Sequence, residues 1–187
     1  MHEFIDKDRQ LLLFLNNLGD ASYDPFWLLI TGTWIWVPLY IIFLYLLFKT
    51  YKAKSVFFIL IFIALGVAFT DQIAGIFKYG IARLRPCHDE ALIPKMRMVT
   101  CGGQYGFFSS HAANTFFLAT FLTILLSRKF RWLPVGIFAW AAIVSYSRIY
   151  LGVHFPFDVA FGAAVGFLSG GLFAEITKIV LRKQKSI

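Results

Sequence analysis

The stretch Val56-Phe-Phe-Ile-Leu-Ile-Phe-Ile-Ala-Leu-Gly-Val-Ala-Phe-Thr70 carries no charge, and it runs on through Asp71 and Gln72 to Phe77 before Lys78 closes it. A helix needs about 20 apolar residues to cross the hydrocarbon of a bilayer, so Val56 to Phe77 reads as a transmembrane span. Working outward, four more runs have this character: Phe26 to Phe48, Ser109 to Ser127, Leu133 to Ser147 and Phe157 to Val180. The fourth of the five, from Leu133, is short and continues into its loop. Composition agrees, because 59% hydrophobic residues, 19% aromatics and a mean hydropathy of +0.70 exceed what a soluble core of 187 residues requires. The expected fold is an all-α integral membrane protein forming one domain over residues 1–187.

Before the first span, residues 1–25 are expected to hold a helix from about Glu3 to Leu18. Apolar Leu11, Leu12, Phe14 and Leu15 beside Asp6, Asp8, Arg9 and Gln10 suit a helix lying in the membrane interface. A helix packed on the rest of the protein is the alternative. The segment from Met1 to Asp8 is mixed in charge and the run Leu11 to Leu15 is short, so no cleavable signal peptide is expected.

Lys and Arg outnumber Asp and Glu by 18 to 10, a net charge of +8. Short cytoplasmic loops are enriched in Lys and Arg. Lys49, Lys52 and Lys54 follow the first span, Arg128, Lys129 and Arg131 follow the third, and the end of the chain carries Lys178, Arg182, Lys183 and Lys185. These segments, including the basic tail 181–187, are assigned to the cytoplasm. The N-terminus, the loop 78–108 and the turn near Gly152 to Pro156 then share the outer side. The outer loop breaks the charge rule with Lys78, Arg83, Arg85, Lys95 and Arg97, so its cations serve something other than topology. Positive charge split across both sides of a bilayer fits nucleic acid poorly.

Gly162, Gly166 and Gly170 form a small-residue stripe on the last span, read as intramolecular packing, with a homodimer face as the alternative. The oligomeric state is otherwise open. Cys87 and Cys101 fall in the outer loop, where an oxidising compartment favours a disulfide over two free thiols. A zinc site is disfavoured, because His88 is the only obvious further ligand. Asp71 and Gln72, inside the second span, are expected to be buried partners between helices, or else to line a polar cavity.

Three polar clusters meet at the outer helix ends: Lys78 to Pro86, Phe108 to His111, and Ser147 to Asp158. Lys78, Arg85 and Arg148 supply cations that can grip phosphate oxygens, the guanidinium groups bidentately. Ser109 and Ser110 stand where a helix begins, and its N–H groups favour an anion at the same place. His154 and Asp158 are four apart, so the carboxylate can hold one ring nitrogen and leave the other free to attack phosphorus. His111, on another helix, can protonate the leaving oxygen. Taken singly, Arg148 or Lys78 reads as a snorkelling anchor and Ser109 as a helix cap. Convergence of costly ionisable groups on one side favours chemistry.

These residues resemble the signature of the type 2 phosphatidic acid phosphatase (PAP2) superfamily. Lys-x6-Arg-Pro is met by Lys78, Arg85 and Pro86, and Ser-Arg-x5-His-x3-Asp by Ser147, Arg148, His154 and Asp158. The second motif, usually Pro-Ser-Gly-His, reads Phe108-Ser109-Ser110-His111, a departure that places a side chain where the family has glycine. The resemblance implies a bundle of five or six transmembrane helices with an N-terminal interfacial helix. It also implies a phosphatase needing neither metal nor other cofactor, working through a phosphohistidine. In that scheme His154 is the nucleophile, Asp158 its orienter and His111 the acid, while Lys78, Arg85, Ser109, Ser110 and Arg148 bind phosphate. Arg83 is a candidate contact to a second phosphate. The expected partners are the bilayer and a lipid phosphate substrate, undecaprenyl diphosphate ranking first and lipid A or phosphatidylglycerol phosphate next. The expected place is a bacterial inner membrane, with the site facing the periplasm. A phosphotransferase acting through the same intermediate and a non-catalytic lipid-phosphate transporter are the competing functions.

Overall fold

A computed structural model describes the backbone of residues 2–185 and the side chains of residues 3–183. The side chains of His2, Gln184 and Lys185, and all of Met1, Ser186 and Ile187, lie outside the described residues. Seven helices account for the architecture: α1 (His2–Asn17), α2 (Asp24–Thr31), α3 (Val37–Thr50), α4 (Ala53–Ile81), α5 (Ser110–Leu126), α6 (Leu133–Tyr150) and α7 (Pro156–Lys185). No strand occurs among the described residues, only one antiparallel bridge between Leu84 and Tyr105.

Helices α4, α6 and α7 are long and apolar enough to cross a membrane. The run from Phe26 to Phe48 is not one helix. It breaks at Gly32 and Thr33, and α2 and α3 meet at 67°. Pro25 and Pro38 open the two helices, where a missing N–H costs nothing. Within the break, the Trp36 indole donates to the Ile30 carbonyl at 2.8 Å, supplying a bond that the interrupted helix cannot. Counting the bent pair as one span gives four, and α5 is apolar but shorter, at 17 residues.

Helix α5 lies at the centre. Phe117, Phe121, Leu122, Leu125 and Leu126 are buried, and no side of the helix is left polar, as expected for one surrounded by others. The glycine stripe of α7 faces it within the same chain. A Cβ at Gly162, Gly166 or Gly170 would sit 2.5, 2.2 or 2.5 Å from the carbonyl oxygens of Ser109, Ala113 and Phe117. The two backbones therefore approach more closely than any larger residue allows. Phe57, Leu65, Leu168 and Leu172 point outward, leaving an apolar perimeter.

Helix α1 covers almost the predicted range and packs on α6 and α7 through one stripe, Asp8, Leu12 and Asn16, all buried. The Asn16 amide donates to the carbonyls of Arg97, Ile149 and Tyr150 and accepts from Arg97 N. Its opposite face leaves Phe4, Leu11, Phe14 and Leu18 exposed. Asp71 and Gln72 correct an expectation: both are exposed rather than buried, although Asp71 accepts from Asn114 Nδ2 at 2.9 Å and so ties α4 to α5. At the far end the Lys129 ammonium donates to the Lys49 carbonyl, and the Tyr51 hydroxyl to that of Leu125, joining two of the basic segments assigned to one side.

Candidate active site

The outer loop is fastened before it is functional. Arg85 N donates to Gln104 O at 3.0 Å and Gly106 N to Arg83 O at 2.9 Å, pairing the loop's two arms around the bridge. A disulfide joins Cys87 to Cys101 across the same arms. With both sulfurs bonded to each other, His88 is the only ligand left in the Cys87, His88 and Cys101 group.

This scaffold presents Arg85 from the loop and Lys78 from the last turn of α4. Lys78 Nζ donates to Ser110 Oγ at 2.7 Å, so the residue that stands where the resembled motif has glycine is hydrogen-bonded to one of the three cations, Lys78, Arg85 and Arg148, that form the candidate phosphate cage. Ser109 is fully buried as the N-cap of α5; its hydroxyl accepts from Ala112 N and its own N–H donates to the Asp158 carbonyl at 3.0 Å. That bond ties the start of α5 to the first turn of α7. Arg148, in the last turn of α6, donates through Nη1 to Thr31 Oγ1 beside the α2 break. Thr31 was not legible as a site residue, because it stands inside an apolar run with only the following Gly-Thr to hint at an interruption.

His154 follows a tight turn in which Gly152 takes φ +75°, a left-handed conformation natural to glycine. Val153 N and His154 N then both donate to the Arg148 carbonyl, fixing histidine and arginine relative to one another. His154 Nε2 lies 3.2 Å from Arg85 Nη1, which can only donate, so Nε2 carries the lone pair and the proton resides on Nδ1. Nδ1 faces Asp158 Oδ2 at 3.5 Å. Burial, and then Arg85, Arg148 and Lys78, hold the His154 imidazole well below its usual range, so it is neutral. Burial likewise lowers Arg85, against the pull of Asp158.

Two cavities open onto this cluster. One of about 360 Å³ lies over Lys78, Arg85 and Tyr105 on the loop side. The other, about 400 Å³, runs from His111 and Thr31 between Trp36, Tyr40, Ile63, Leu118 and Trp140. A third cavity, about 770 Å³, is lined by Arg83, Phe107, Phe155 and Phe157 and by none of Lys78, Arg85 and Arg148.

Lys78, Arg85, Ser109, Ser110, His111, Arg148, His154 and Asp158 thus come from four helices and two connecting loops at one end of the bundle. Arg83 does not join them. Its guanidinium is taken by two carboxylates, Nη1 to Asp158 Oδ1 at 2.7 Å and Nη2 to Asp8 Oδ2 at 2.6 Å, which corrects its reading as a contact for a second phosphate. Of the two further loop cations set aside from topology, Arg97 pairs with Asp24 and Lys95 is exposed.

A family model described as the PAP2 superfamily matches residues 58–180, which hold every cage residue. The chain belongs to the PAP2 superfamily. A lipid A 4'-phosphatase of Bacteroides thetaiotaomicron is 43% identical over 98% of this chain and 84% of its own length. Another from Porphyromonas gingivalis is 38% identical over 91% and 72%. Among solved structures, the PAP2-type phosphatidylglycerolphosphate phosphatase of Bacillus subtilis superposes with a TM-score of 0.70 at 21% identity, covering 98% of this chain and 88% of that one. The PAP2 fold and a phosphatase activity on membrane lipid phosphates follow.

Proposed function

We propose that this PAP2 phosphatase removes the 4'-phosphate of lipid A, or of a closely similar saccharide lipid, at the periplasmic face of the inner membrane. Two relatives of that activity, matched over most of their length, move the ranking away from undecaprenyl diphosphate. The observation that carries the chemistry is the lone pair of His154 Nε2, held beside Arg85 with its other nitrogen toward Asp158.

In this reading Arg85, Arg148, Lys78 and the start of α5 hold the phosphate. His154 Nε2 attacks phosphorus while the P–O bond to the sugar breaks, and the leaving oxygen takes its electron pair and a proton from His111. Water then attacks the phosphohistidine and gives a proton to His111. The P–N bond breaks, restoring the lone pair on Nε2 and releasing phosphate. The negative phosphate supplies the counter-charge that a protonated His111 needs among so many cations. No step calls for a metal.

Five spans, α5 among them, with α1 lying at the outer interface, put the loop-side cavity in periplasmic water and the cavity below His111 at bilayer depth. Its apolar walls suit an acyl chain, so the lipid reaches the cage sideways. Phosphate release from detergent-purified protein in EDTA, with lipid A 4'-phosphate, lipid A 1-phosphate, phosphatidylglycerol phosphate and undecaprenyl diphosphate, tests this. Fastest release from the 4' position, abolished by His154→Ala and His111→Ala, is the expected result. Faster turnover of undecaprenyl diphosphate would overturn the substrate assignment, and release that EDTA abolishes would overturn the mechanism.

A further inference from the structure

Asp158 makes more bonds than a simple orienter of histidine needs. Its side chain is fully buried; Oδ2 accepts from Phe155 N at 3.1 Å and faces His154, while Oδ1 accepts from Arg83. Arg83 belongs to the loop after α4, two positions before the cage arginine, and its guanidinium lies 4.0 Å from the centre of the Phe155 ring. Its second nitrogen is held by Asp8 of α1, a side chain only 4% exposed. The other oxygen of Asp8 accepts from Phe157 N at 2.9 Å, in the first turn of α7. Asp8 therefore caps the helix that bears Asp158 while holding the arginine that grips it.

The charges explain why two acids share one base. If Arg83 faced Asp158 alone, the pair would be neutral and would offer His154 little. With Asp8 present, two carboxylates share a single cation and the trio carries a net negative charge, directed at Nδ1. A planar guanidinium also fixes the two carboxylates relative to one another, which a flexible ammonium does not. Removing the cation would leave Asp158 a buried charge without its one direct ion-pair partner, served by the Phe155 N–H and the field of Arg85.

We propose that Asp8 and Arg83 are positioning residues for the reaction, holding Asp158 against His154 so that α1 completes the active site. This rests on the phosphohistidine reading above. It is distinct from that reading because neither residue touches the phosphate.

The experiment uses the full chain in detergent with Asp8→Asn, Arg83→Gln, Arg83→Lys and Asp158→Asn, and the two doubles that combine Asp8→Asn or Arg83→Gln with Asp158→Asn. Arg9→Gln serves as control, since it breaks a bridge from α1 to Asp89 that involves neither Arg83 nor Asp158. Misplacing a reacting group by about 1 Å costs on the order of 10²-fold, so Asp8→Asn and Arg83→Gln are expected to lower kcat by roughly 10- to 100-fold with KM little changed. Arg83→Lys should recover part of the loss, and Arg9→Gln should be neutral. In the Asp158→Asn background neither change should cost more, because the residue through which they act is gone. Independently of turnover, ¹⁵N-histidine NMR, with His154 assigned by its absence in His154→Ala, should show the Nδ1–H tautomer in the wild type and a mixture in Asp8→Asn and Arg83→Gln. Wild-type kcat in both variants, additive losses with Asp158→Asn, or an unchanged His154 tautomer would each overturn the proposal. A protein inactive on every lipid would sink the phosphatase reading instead, and the tautomer measurement would still judge the positioning.

Discussion

Arg148 is held at one end by Thr31 and at the other by its own carbonyl, which accepts from Val153 and His154. Its planar donors are thereby aimed before any phosphate arrives, and a lysine of equal charge cannot reproduce the fork. Arg148→Lys is expected to lower kcat by about 10²-fold, the usual loss when one preorganised donor to a developing charge is removed. Steady-state kinetics beside a thermal melt would separate this from misfolding. His154 carries the second prediction at this scale. Its pKa is depressed, so the imidazole remains neutral and nucleophilic as pH falls through about 6.5, the ordinary value. An NMR titration of the substrate-free protein should show no protonation of His154 there, whereas an ordinary midpoint would contradict its burial among cations. Most of this residue-scale picture was legible, because the motifs fix residue types at fixed spacings. Asp8 and Thr31 were not. Their roles depend on which helix lies against which, and spacing along the chain carries no such information across the gap of 150 between Asp8 and Asp158.

Among the helices, α5 and α7 decide where the machinery sits. The N-cap of α5 is bonded to the backbone of Asp158, and the glycine stripe holds the two axes close below that point. Gly166→Leu would drive a side chain into the backbone of α5, where Ala113 O, Ala113 C and Phe117 N lie 2.2 to 2.9 Å from an added Cβ. Overpacking of this kind costs typically 1–3 kcal/mol, and because a backbone cannot turn aside the upper part of that range is expected. Thermal unfolding in detergent measures it, and a melt equal to wild type would show that the helices can separate without penalty. The stripe and its intramolecular use were readable from the period of four, whereas the helix it meets, α5, was not. The split of the first run into α2 and α3 was not, because hydropathy counts apolar residues without regard to whether the helix bonds continue through Gly32 and Thr33.

Across the whole molecule, charge is sorted by end. Lys49, Lys52, Arg128, Lys129 and Arg131 lie at the end of the bundle remote from the site, whereas Lys78 and Arg85 of the outer loop are drawn into the site and Arg83 and Arg97 into ion pairs. If the remote end faces the cytoplasm, trypsin added to intact spheroplasts should leave those sites uncut, and lysis should expose them. Cleavage between Lys49 and Lys54 in intact spheroplasts would invert the orientation. The outer loop confused the sequence reading for a physical reason: a cation held in a polar cluster or an ion pair counts the same in a tally of Lys and Arg as one that only marks a side of the membrane.

The break between α2 and α3 has a consequence for Trp36. A tryptophan near a helix end ordinarily suggests a ring floating at the level of the lipid head groups. Here the indole is a surrogate for a peptide amide, because it feeds the carbonyl of Ile30 that the interrupted helix leaves without its usual N–H. The corner, and with it the seat of Thr31 beneath Arg148, is thus held in part by one aromatic N–H, beside the turn bonds Gly32 N to Leu29 O and Trp36 N to Thr33 O. Trp36→Phe would keep the bulk and delete that proton. The sensitive readout is the apparent affinity for phosphate lipid rather than the melting temperature, since a relaxed corner would release Arg148 long before it unfolded the bundle.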